Sequence, residues 1–296
     1  MNTTTQCLTC LYEQAKRTLQ LLDSTPESNN TQILHKKKNM TKDCAPHIFG
    51  IPTNPPVIPP PQLAITVYKH IAQLTNTTDP YQLIKAQSIA KAKEFLQKIP
   101  LRYDLEWGIK IAALGNVIDY GNSDAFRLDS CLFEAESIHF SIYDIQALQT
   151  SLQGAKKLVY IGDNAGEDVF DSVLVQILTS LYPQLAITYF TRGAPIINDS
   201  TLQDLQTHQS PILDVCEVVD SGVESAGFLY EFATSYAKKL YDEADVILAK
   251  GMGNFECLED CNDKRVFLLF KIKCDVVAKF IGEQQGSFVL KNAINE

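Results

Sequence analysis

The sequence predicts an α/β protein, in which a doubly wound, mostly parallel sheet with helices on both faces follows a mostly helical N-terminal region. From residue 156 onward, five short runs of apolar and β-branched residues alternate with helical patterns, an order typical of βαβ units. These runs are apolar almost throughout, as in strands that are covered on both faces. Before residue 100, by contrast, apolar residues recur at helical spacing.

The N-terminal part of the chain predicts helices joined by one extended segment. Helical spacing of apolar residues occurs in three stretches, residues 10–22, 61–74 and 80–99. Asp79 and Pro80 supply a cap and a first helical position for the third stretch. The proline-rich residues 46–61 cannot form a continuous helix or a central strand, so they predict an extended segment on the surface. We assign residues 1–103 to this region.

The second part, residues 104–296, predicts the α/β domain. It opens with a helix over residues 104–119, which Asp104 can cap and which carries one apolar stripe. The predicted strands are residues 157–161, 185–190, 212–219, 245–249 and 266–272. The helices that follow them are residues 167–181, 200–208, 227–244, 254–261 and 274–282. Right-handed crossovers between such strands place helices on both faces of the sheet.

The composition excludes several classes of protein. A net charge of −9 argues against a general nucleic-acid binder, which needs a basic face to neutralise phosphates. No stretch approaches the roughly 18 consecutive apolar residues of a membrane span, and the N-terminus lacks the pattern of a secretory signal. Eight cysteines without such a signal are typical of reduced thiols. We therefore expect a cytoplasmic protein without a nucleic-acid or membrane partner, whose oligomeric state the sequence does not indicate.

Polar residues and glycines follow the predicted strands, at the sheet edge where ligands bind in open parallel sheets. They are found in GDNAGE (162–167), TRGAPIIND (191–199), DSG (220–222), KGMGNFE (250–256) and KC (273–274). Asp163, Asn164 and Asp199 present oxygen atoms, which suit a hard or borderline divalent cation. The alternative is that the two aspartates only cap the helices that follow them. The convergence of all these loops at one edge favours a binding site.

The same loops contain candidate anion-binding groups. Lys250 and the glycines after it resemble a phosphate cradle at the start of a helix, although a lone G-x-G is a weak signal. The further candidates for binding substrate or phosphate are Asn116, Asp119, Arg192, Ser221, Gly222, Gly251, Gly253 and Asn254. Asn116 and Asp119 are three residues apart and share one helix face. For Arg192, an ordinary surface ion pair is the alternative.

Cysteine and histidine chemistry is less well supported. Cys7 and Cys10 form a C-x-x-C pair, but a structural zinc site normally needs four ligands. Zinc or redox chemistry, packing, and a role near Cys274 therefore stay open for this pair. None of the five histidines lies in the loops named above, and no Ser–His or Cys–His arrangement is visible. This favours metal-activated chemistry over a covalent nucleophile.

Three motifs in this order resemble those of a known family. GDNAGE, RGAPIIND and KGMGNFE look like the motifs of the DUF89 proteins, the ARMT1-like damage-control phosphatases, and particularly of their archaeal and bacterial branch. The segments CLTC, DPY, GNVID and KIKCDVVAKFIG extend the likeness over nearly the whole chain. An insert rich in asparagine and lysine at residues 29–42 lies outside the motifs.

The resemblance implies a metal-dependent phosphatase that hydrolyses small phosphate esters, with Mg²⁺, Mn²⁺, Co²⁺ or Ni²⁺ as activator. The expected substrates are sugar phosphates or damaged and side-product phosphorylated metabolites. It implies Asp163, Asn164 and Asp199 as metal ligands and Lys250 as the phosphate-binding lysine. It also agrees with the predicted fold, and residues 104–296 would then be the metal-binding catalytic domain.

The loops lead us to a mechanistic hypothesis. Lys250 and Arg192 would stabilise charge on the phosphoryl oxygens, Asn116 would position the substrate, and Glu167 or Asp119 would act as general base. The attacking group, water or an aspartate, stays open. The rival interpretations are a carboxyl methyltransferase that uses S-adenosylmethionine, and a metal- or nucleotide-binding protein without turnover.

Overall fold

A computed structural model describes residues 1–23, 46–100, 102–115 and 137–294 of the chain. Within these residues the strands are β1 (Phe140–Tyr143), β2 (Lys157–Ile161), β3 (Ala186–Thr191), β4 (Glu217–Asp220), β5 (Val246–Lys250), β6 (Val266–Lys271) and β7 (Phe288–Asn292). They form a seven-stranded sheet in the order β1-β7-β6-β5-β2-β3-β4. Strands β2 to β6 are mutually parallel, whereas β7 is antiparallel to β6 and parallel to β1. The predicted α/β class is confirmed.

The α-helices surround this sheet. They are α1 (Thr5–Asp23), α2 (Pro60–Thr75), α3 (Gln82–Leu96), α4 (Leu105–Leu114), α5 (Ile145–Leu152), α6 (Glu167–Leu181), α7 (Leu202–Thr207), α8 (Ser235–Glu243), α9 (Met252–Leu258) and α10 (Asp275–Ile281). Short 3₁₀ helices lie at Pro46–Phe49, Pro211–Asp214 and Tyr230–Phe232. None of the described helices is long and apolar enough to cross a membrane.

The central strands are buried on both faces, which explains their continuous apolar pattern. In β2, Leu158 and Tyr160 belong to a core that includes α3 to α6. Val159 and Ile161 alternate with them and join the core under α8 to α10 on the other face. Because helices cover both faces of the sheet, neither face of these strands contacts water, and both faces can carry apolar side chains.

The N-terminal helices have a small core of their own and contact the α/β part at several points. Leu11 and Ala15 of α1 pack with Val67 and Ile71 of α2, and Ile196 from the loop after β3 joins this cluster. The chain between Pro46–Phe49 and α2 contains no helix or strand, as the proline-rich pattern predicts. The division of the chain at residue 103 stays a prediction, and α3 on its N-terminal side shares the core of the sheet.

Several predicted elements differ from those observed. The predicted strand 212–219 is shortened to β4 because Pro211 begins a 3₁₀ turn capped by the Ser210 hydroxyl. The predicted helix 227–244 contains a 3₁₀ turn and then α8, whose N-cap is Thr234. Strands β1 and β7 are additional to the prediction; β1 has four residues and none is buried, so it lacks the apolar pattern of the central strands.

Candidate functional site

A cavity of about 1170 Å³ opens at the carboxyl ends of the central strands. Its floor is formed by the loops after β2, β3, β5 and β6, and its walls by α1, α2 and the start of α3. Of the predicted site residues, Asp163, Asn164, Glu167, Asp199 and Gly253 border this cavity. The predicted convergence of loops at one sheet edge is therefore present, at the place where open parallel sheets bind ligands.

The loops after β2 and β3 are joined by backbone pairing, which brings the candidate metal ligands together. Asn164 and Asp199 form an isolated antiparallel bridge, and Ser200 N donates to Asp163 O at 2.9 Å. The Asn164 side-chain amide donates to Asp163 Oδ2 at 3.0 Å and to Glu167 Oε1 at 2.8 Å. Both aspartates are buried. Asp163, Asn164 and Asp199 thus lie on two loops that are joined by backbone pairing, and all three border the cavity floor.

The electrostatics of these carboxyl groups fit a cation site. Burial, together with the negative charges of Asp199 and Glu167, raises the pKa of Asp163 well above its ordinary value. Burial also raises the pKa of Asp199 to about 6, although the Arg192 guanidinium opposes the shift. Crowded, buried oxygens of this kind are the donor set of a hard divalent cation, which would relieve their repulsion. Within the described part of the chain, no group of three or more His, Cys, Asp and Glu side chains forms a ready metal cage by itself.

Arg192 lies behind the two aspartates and not in the cavity. Its Nε donates to Asp199 Oδ2 at 2.7 Å, and its Nη2 donates to Ala226 O at 2.8 Å. A longer contact of 3.4 Å joins Nη2 to Asp163 Oδ1. The residue is 2% exposed, and its guanidinium contacts both aspartates from the protein interior. Direct binding of phosphate by Arg192 stays a prediction that would need the guanidinium to move.

Lys250 is also withdrawn from the cavity. Its ammonium contacts Ala112 O at 2.7 Å, Asp171 Oδ1 at 2.8 Å and Glu167 Oε2 at 2.9 Å. The first two contacts are hydrogen bonds and the third is an ion pair, and the side chain is 0% exposed. Burial disfavours the charged lysine, but the two carboxylates outweigh burial and raise its pKa. Lys250 thus pairs with Glu167 and does not border the cavity, and the phosphate contact predicted for Lys250 stays a prediction.

Below this pair, a buried network holds Asp171. The hydroxyls of Tyr160 and Tyr189 donate to its two carboxylate oxygens at 2.7 and 3.0 Å. At Glu167, burial favours the neutral acid, but the charge of Lys250 outweighs it and lowers the pKa. Glu167 is thus an ionised acceptor that orients the amide of Asn164.

The turn between β5 and α9 packs against Asp163. Gly251 has φ 88°, and a Cβ at this position would lie 2.0 Å from Asp163 Oδ2, so only glycine fits. The Asn254 side chain accepts from Phe228 N at 2.7 Å and donates to Lys250 O at 2.5 Å. Asn254 and Gly251 therefore shape the site from behind, whereas Gly253 borders the cavity.

The remaining predicted residues lie away from the cavity or outside the described residues. Ser221 donates to Thr191 O at 2.6 Å and is buried. Gly222 adopts φ 75° beside Gly193, which has no room for a side chain. Asn116 and Asp119 lie outside the described residues, which resume only at residue 137. The roles predicted for these four residues stay predictions.

Comparison with known proteins identifies the family. A model of the damage-control phosphatase ARMT1-like domain matches residues 3–289. The chain belongs to this family. It is 27% identical over 289 residues to a damage-control phosphatase of Pyrococcus horikoshii, covering 96% of each chain. It is 30% identical over 244 residues to a damage-control phosphatase of Archaeoglobus fulgidus, covering 77% of this chain and 81% of the relative.

The fold is shared with a solved structure. The crystal structure of a DUF89 family protein from Pyrococcus horikoshii superposes with a TM-score of 0.85 at 26% identity, and the match covers 99% of both chains. The resemblance inferred from GDNAGE, RGAPIIND and KGMGNFE is thereby confirmed at the level of the family.

In this member of the damage-control phosphatase family, the cavity floor also includes a lysine, Lys273, for which the sequence predicted no role. Lys273, directly after β6, borders the cavity. Asp163, Glu167 and Asp199 border the same cavity. Burial raises the pKa of Asp163 and Asp199, and the charge of Lys273 opposes this shift; at Glu167 it adds to the lowering of the pKa by Lys250. In the sequence, Lys273 could be noticed only by its position after a predicted strand, in KIKC. Lys250 also follows a predicted strand, so this position alone does not tell which lysine enters the cavity.

The thiols of Cys7, Cys10 and Cys274 border one end of the same cavity, beside Glu256. Burial raises the pKa of Cys10 and of Cys274, and negative charge at Glu256 adds to the effect. Raised thiol pKa values disfavour the thiolates that bind zinc or carry out redox chemistry. Cys7, Cys10 and Cys274 all border this cavity, and the role of the C-x-x-C pair stays a prediction.

Proposed function

We propose that this chain hydrolyses phosphate monoesters of small metabolites, and that it requires a divalent cation bound by Asp163, Asn164 and Asp199. The observation that carries the proposal is that Asp163, Asn164, Asp199 and the cationic Lys273 all border one open cavity. Membership of the damage-control phosphatase family supports it.

A bound divalent cation would supply charge neutralisation at the phosphoryl oxygens and activation of the attacking group. Lys273 binds the phosphoryl oxygens as a point charge, since its side chain is exposed within the cavity. This assignment gives Lys273 the contact that the sequence suggested for Lys250.

The other residues hold the ligands in place. Arg192 fixes Asp199, and the pair of Lys250 and Glu167 fixes Asn164. In metal sites, hydrogen bonds and ion pairs of this kind orient the side chains that bind the metal directly. Because both oxygens of Glu167 are engaged and its pKa is lowered, we assign it to orientation and not to proton transfer.

Hydrolysis of a generic phosphate ester by metal-stripped protein tests the proposal. Mg²⁺, Mn²⁺, Co²⁺ and Ni²⁺ are added back in turn, with Asp163→Ala measured alongside wild type. The matched control is Asp214→Ala, since Asp214 is exposed and does not border the cavity. We expect activity to return with metal in wild type and in the control, and to be lost in Asp163→Ala.

A chelator-resistant activity, or Asp163→Ala with unchanged metal binding and hydrolysis, would overturn the proposal. If a panel of real phosphorylated metabolites is also inert with every cation, the methyltransferase and the non-catalytic binding protein become the better interpretations. Transfer of a methyl group from S-adenosylmethionine without metal would identify the first of these.

A further inference from the structure

A turn next to the candidate metal ligands has a conformation that its sequence does not favour. Ile197, in the loop after β3, has φ 47°. Of the four non-glycine residues with positive φ in the described part of the chain, it alone is β-branched. A branched side chain collides with the backbone in the left-handed region, so this conformation is strained. Strain of this kind persists only where the surrounding structure maintains it.

The strained residue determines the direction of the chain before Asp199. Asp199 N donates to Ile196 O at 3.0 Å, so Ile197 and Asn198 are the central residues of a tight turn. Positive φ at the first central residue alone is typical of a type II′ turn, where glycine is the usual residue. If Ile197 relaxed to the negative φ that isoleucine prefers, this turn would be lost.

The turn is joined to the loop after β2. Ala165 N donates to Asn198 O at 2.9 Å, and Asn164 pairs with Asp199 in the isolated bridge. Asn198 and Asp199 are the two residues that directly follow Ile197. The pairing that brings Asp199 beside Asn164 therefore depends on the strained conformation of Ile197.

The helical wall of the cavity holds this conformation in place. Ile196 is buried in the apolar cluster that α1 and α2 form, and Ile197 packs against the same cluster. Ala15 of α1 and Val67 of α2 are among its members. A relaxed turn would withdraw an apolar side chain from the cluster and expose it to water, which is unfavourable. Packing of the two helices against the turn therefore offsets the strain.

We infer that Ile197 is a positioning residue, whose side chain couples the packing of α1 and α2 to the placement of Asp199. The inference rests on the proposed function, because it takes Asp199 as a ligand of the divalent cation. While the helices are packed on the turn, Asp199 is held in place for the cation. Coupling between two sites is reciprocal, so a bound cation also stabilises the packed helices.

Hydrogen exchange of the full chain measures this coupling. Calorimetry with Mg²⁺, Mn²⁺, Co²⁺ and Ni²⁺ first identifies the cation that binds most tightly, and exchange is then followed with and without it. We expect the amides of α1 and α2 to exchange more slowly when the cation is bound, because their local opening becomes less favourable. Amides of α5 that exchange by local opening should be unaffected, since α5 does not border the cavity.

Two substitutions of Ile197 form a matched pair. Ile197→Gly should abolish the effect of the cation on α1 and α2, because glycine adopts positive φ without strain and has no side chain in the cluster. It should also raise the Kd of the cation, since the turn is no longer held in one conformation. Ile197→Val remains branched and apolar, so it should keep both the exchange effect and the wild-type Kd.

A double-mutant cycle tests the coupling from the side of the helices. Val67→Ala loosens the cluster at a residue that does not border the cavity. We expect it to raise the Kd of the cation about fivefold or more in the wild-type background, and by less than about twofold in the Ile197→Gly background. Leu148→Ala removes a buried side chain of α5 outside the cluster and should leave the Kd unchanged.

Several outcomes would overturn the inference. One is a variant Ile197→Gly that unfolds at a lower Tm but binds the cation as wild type does, which would indicate a purely structural role. Another is exchange of α1 and α2 that does not respond to a bound cation. A third is an effect of Val67→Ala that is the same in both backgrounds.

Hydrolysis of a phosphate ester is measured on the same proteins, so that this inference and the proposed function fail separately. Coupling without hydrolysis would support the role of Ile197 and overturn the phosphatase. Metal-dependent hydrolysis without coupling would overturn the role of Ile197 alone. If none of the four cations binds to wild type, both proposals are overturned.

Discussion

The ammonium of Lys250 and the carboxylate of Glu167 form a buried ion pair, with 2.9 Å between Nζ and Oε2. The other oxygen of Glu167 accepts from Asn164 at 2.8 Å. A candidate metal ligand is thus connected through one carboxylate to a lysine inside the protein. If Asn164 binds a metal as proposed, Lys250 at the end of β5 positions this ligand through Glu167.

Replacing Lys250 by methionine should weaken both folding and metal binding. The substitution leaves Glu167 and Asp171 buried without their cation, a change that typically costs about 3–5 kcal/mol. Urea unfolding should show this loss, and metal titration should show affinity reduced about 10- to 100-fold. Lys239→Met is the control, since Lys239 is exposed on α8. Wild-type metal affinity in a folded Lys250→Met protein would contradict the positioning role.

Replacing Lys273 by methionine should affect substrate and not folding. The side chain is exposed in the cavity, so its loss leaves no unpaired buried group. If it binds the phosphoryl oxygens in ground and transition state alike, KM should rise about tenfold or more while kcat changes little. Lys264→Met, an exposed lysine before β6, should behave as wild type. Unchanged KM in Lys273→Met would return the phosphate contact to Lys250 or Arg192.

Glu256 should make the protein less stable as pH rises. Burial raises its pKa to about 7, whereas the unfolded chain has a value of about 4.3. The folded state therefore holds the proton more tightly, so its advantage is complete below the unfolded pKa and is lost as pH rises through about 7. The shift corresponds to at most about 3–4 kcal/mol.

The substitution Glu256→Gln removes this titration. Relative to wild type, the free energy of unfolding of the variant should increase between pH 5 and pH 8. Denaturant unfolding at the two pH values measures the change, and the difference between the proteins cancels the titration of all other groups. A difference that is the same at both pH values would show that Glu256 titrates normally.

The central strands could be predicted from the sequence because their burial determines which residues each strand contains. Strands such as β2 and β5 are covered on both faces, and their apolar runs record that fact directly. Strand β1 has four residues, none of them buried, and leaves no such pattern. Likewise, the position of Asp163, Asn164 and Asp199 at one sheet edge could be predicted, because they follow strands of one parallel sheet.

The direction of the cationic side chains could not be predicted in the same way. Lys250 is the last residue of β5 and Lys273 comes two residues after β6, but of these two lysines only Lys273 borders the cavity. Lys250 is drawn inward by Asp171, which lies one turn beyond Glu167 on α6. The ion pair between Lys250 and Asp171 depends on how α6 packs on the sheet. The residues after β5 do not indicate this packing, so the direction of Lys250 could not be predicted.

The contact of Lys85 with Asp79 and Asp204 provides the last prediction, because it joins the helical wall of the cavity to the α/β part. The lysine is 0% exposed, and its Nζ lies 2.6 Å from a carboxylate oxygen of each aspartate. Lys85→Met should cost about 3–5 kcal/mol of unfolding free energy, since two largely buried carboxylates lose their cation. Lys98→Met, an exposed control, should change stability by less than about 0.5 kcal/mol.

A second substitution distinguishes charge from packing at this contact. Asp79→Asn in the Lys85→Met background removes one unpaired carboxylate and should recover part of the lost stability, whereas Asp79→Asn alone should destabilise the protein. If Lys85→Met unfolds at the wild-type urea concentration, the ion pairs do not hold this wall in place.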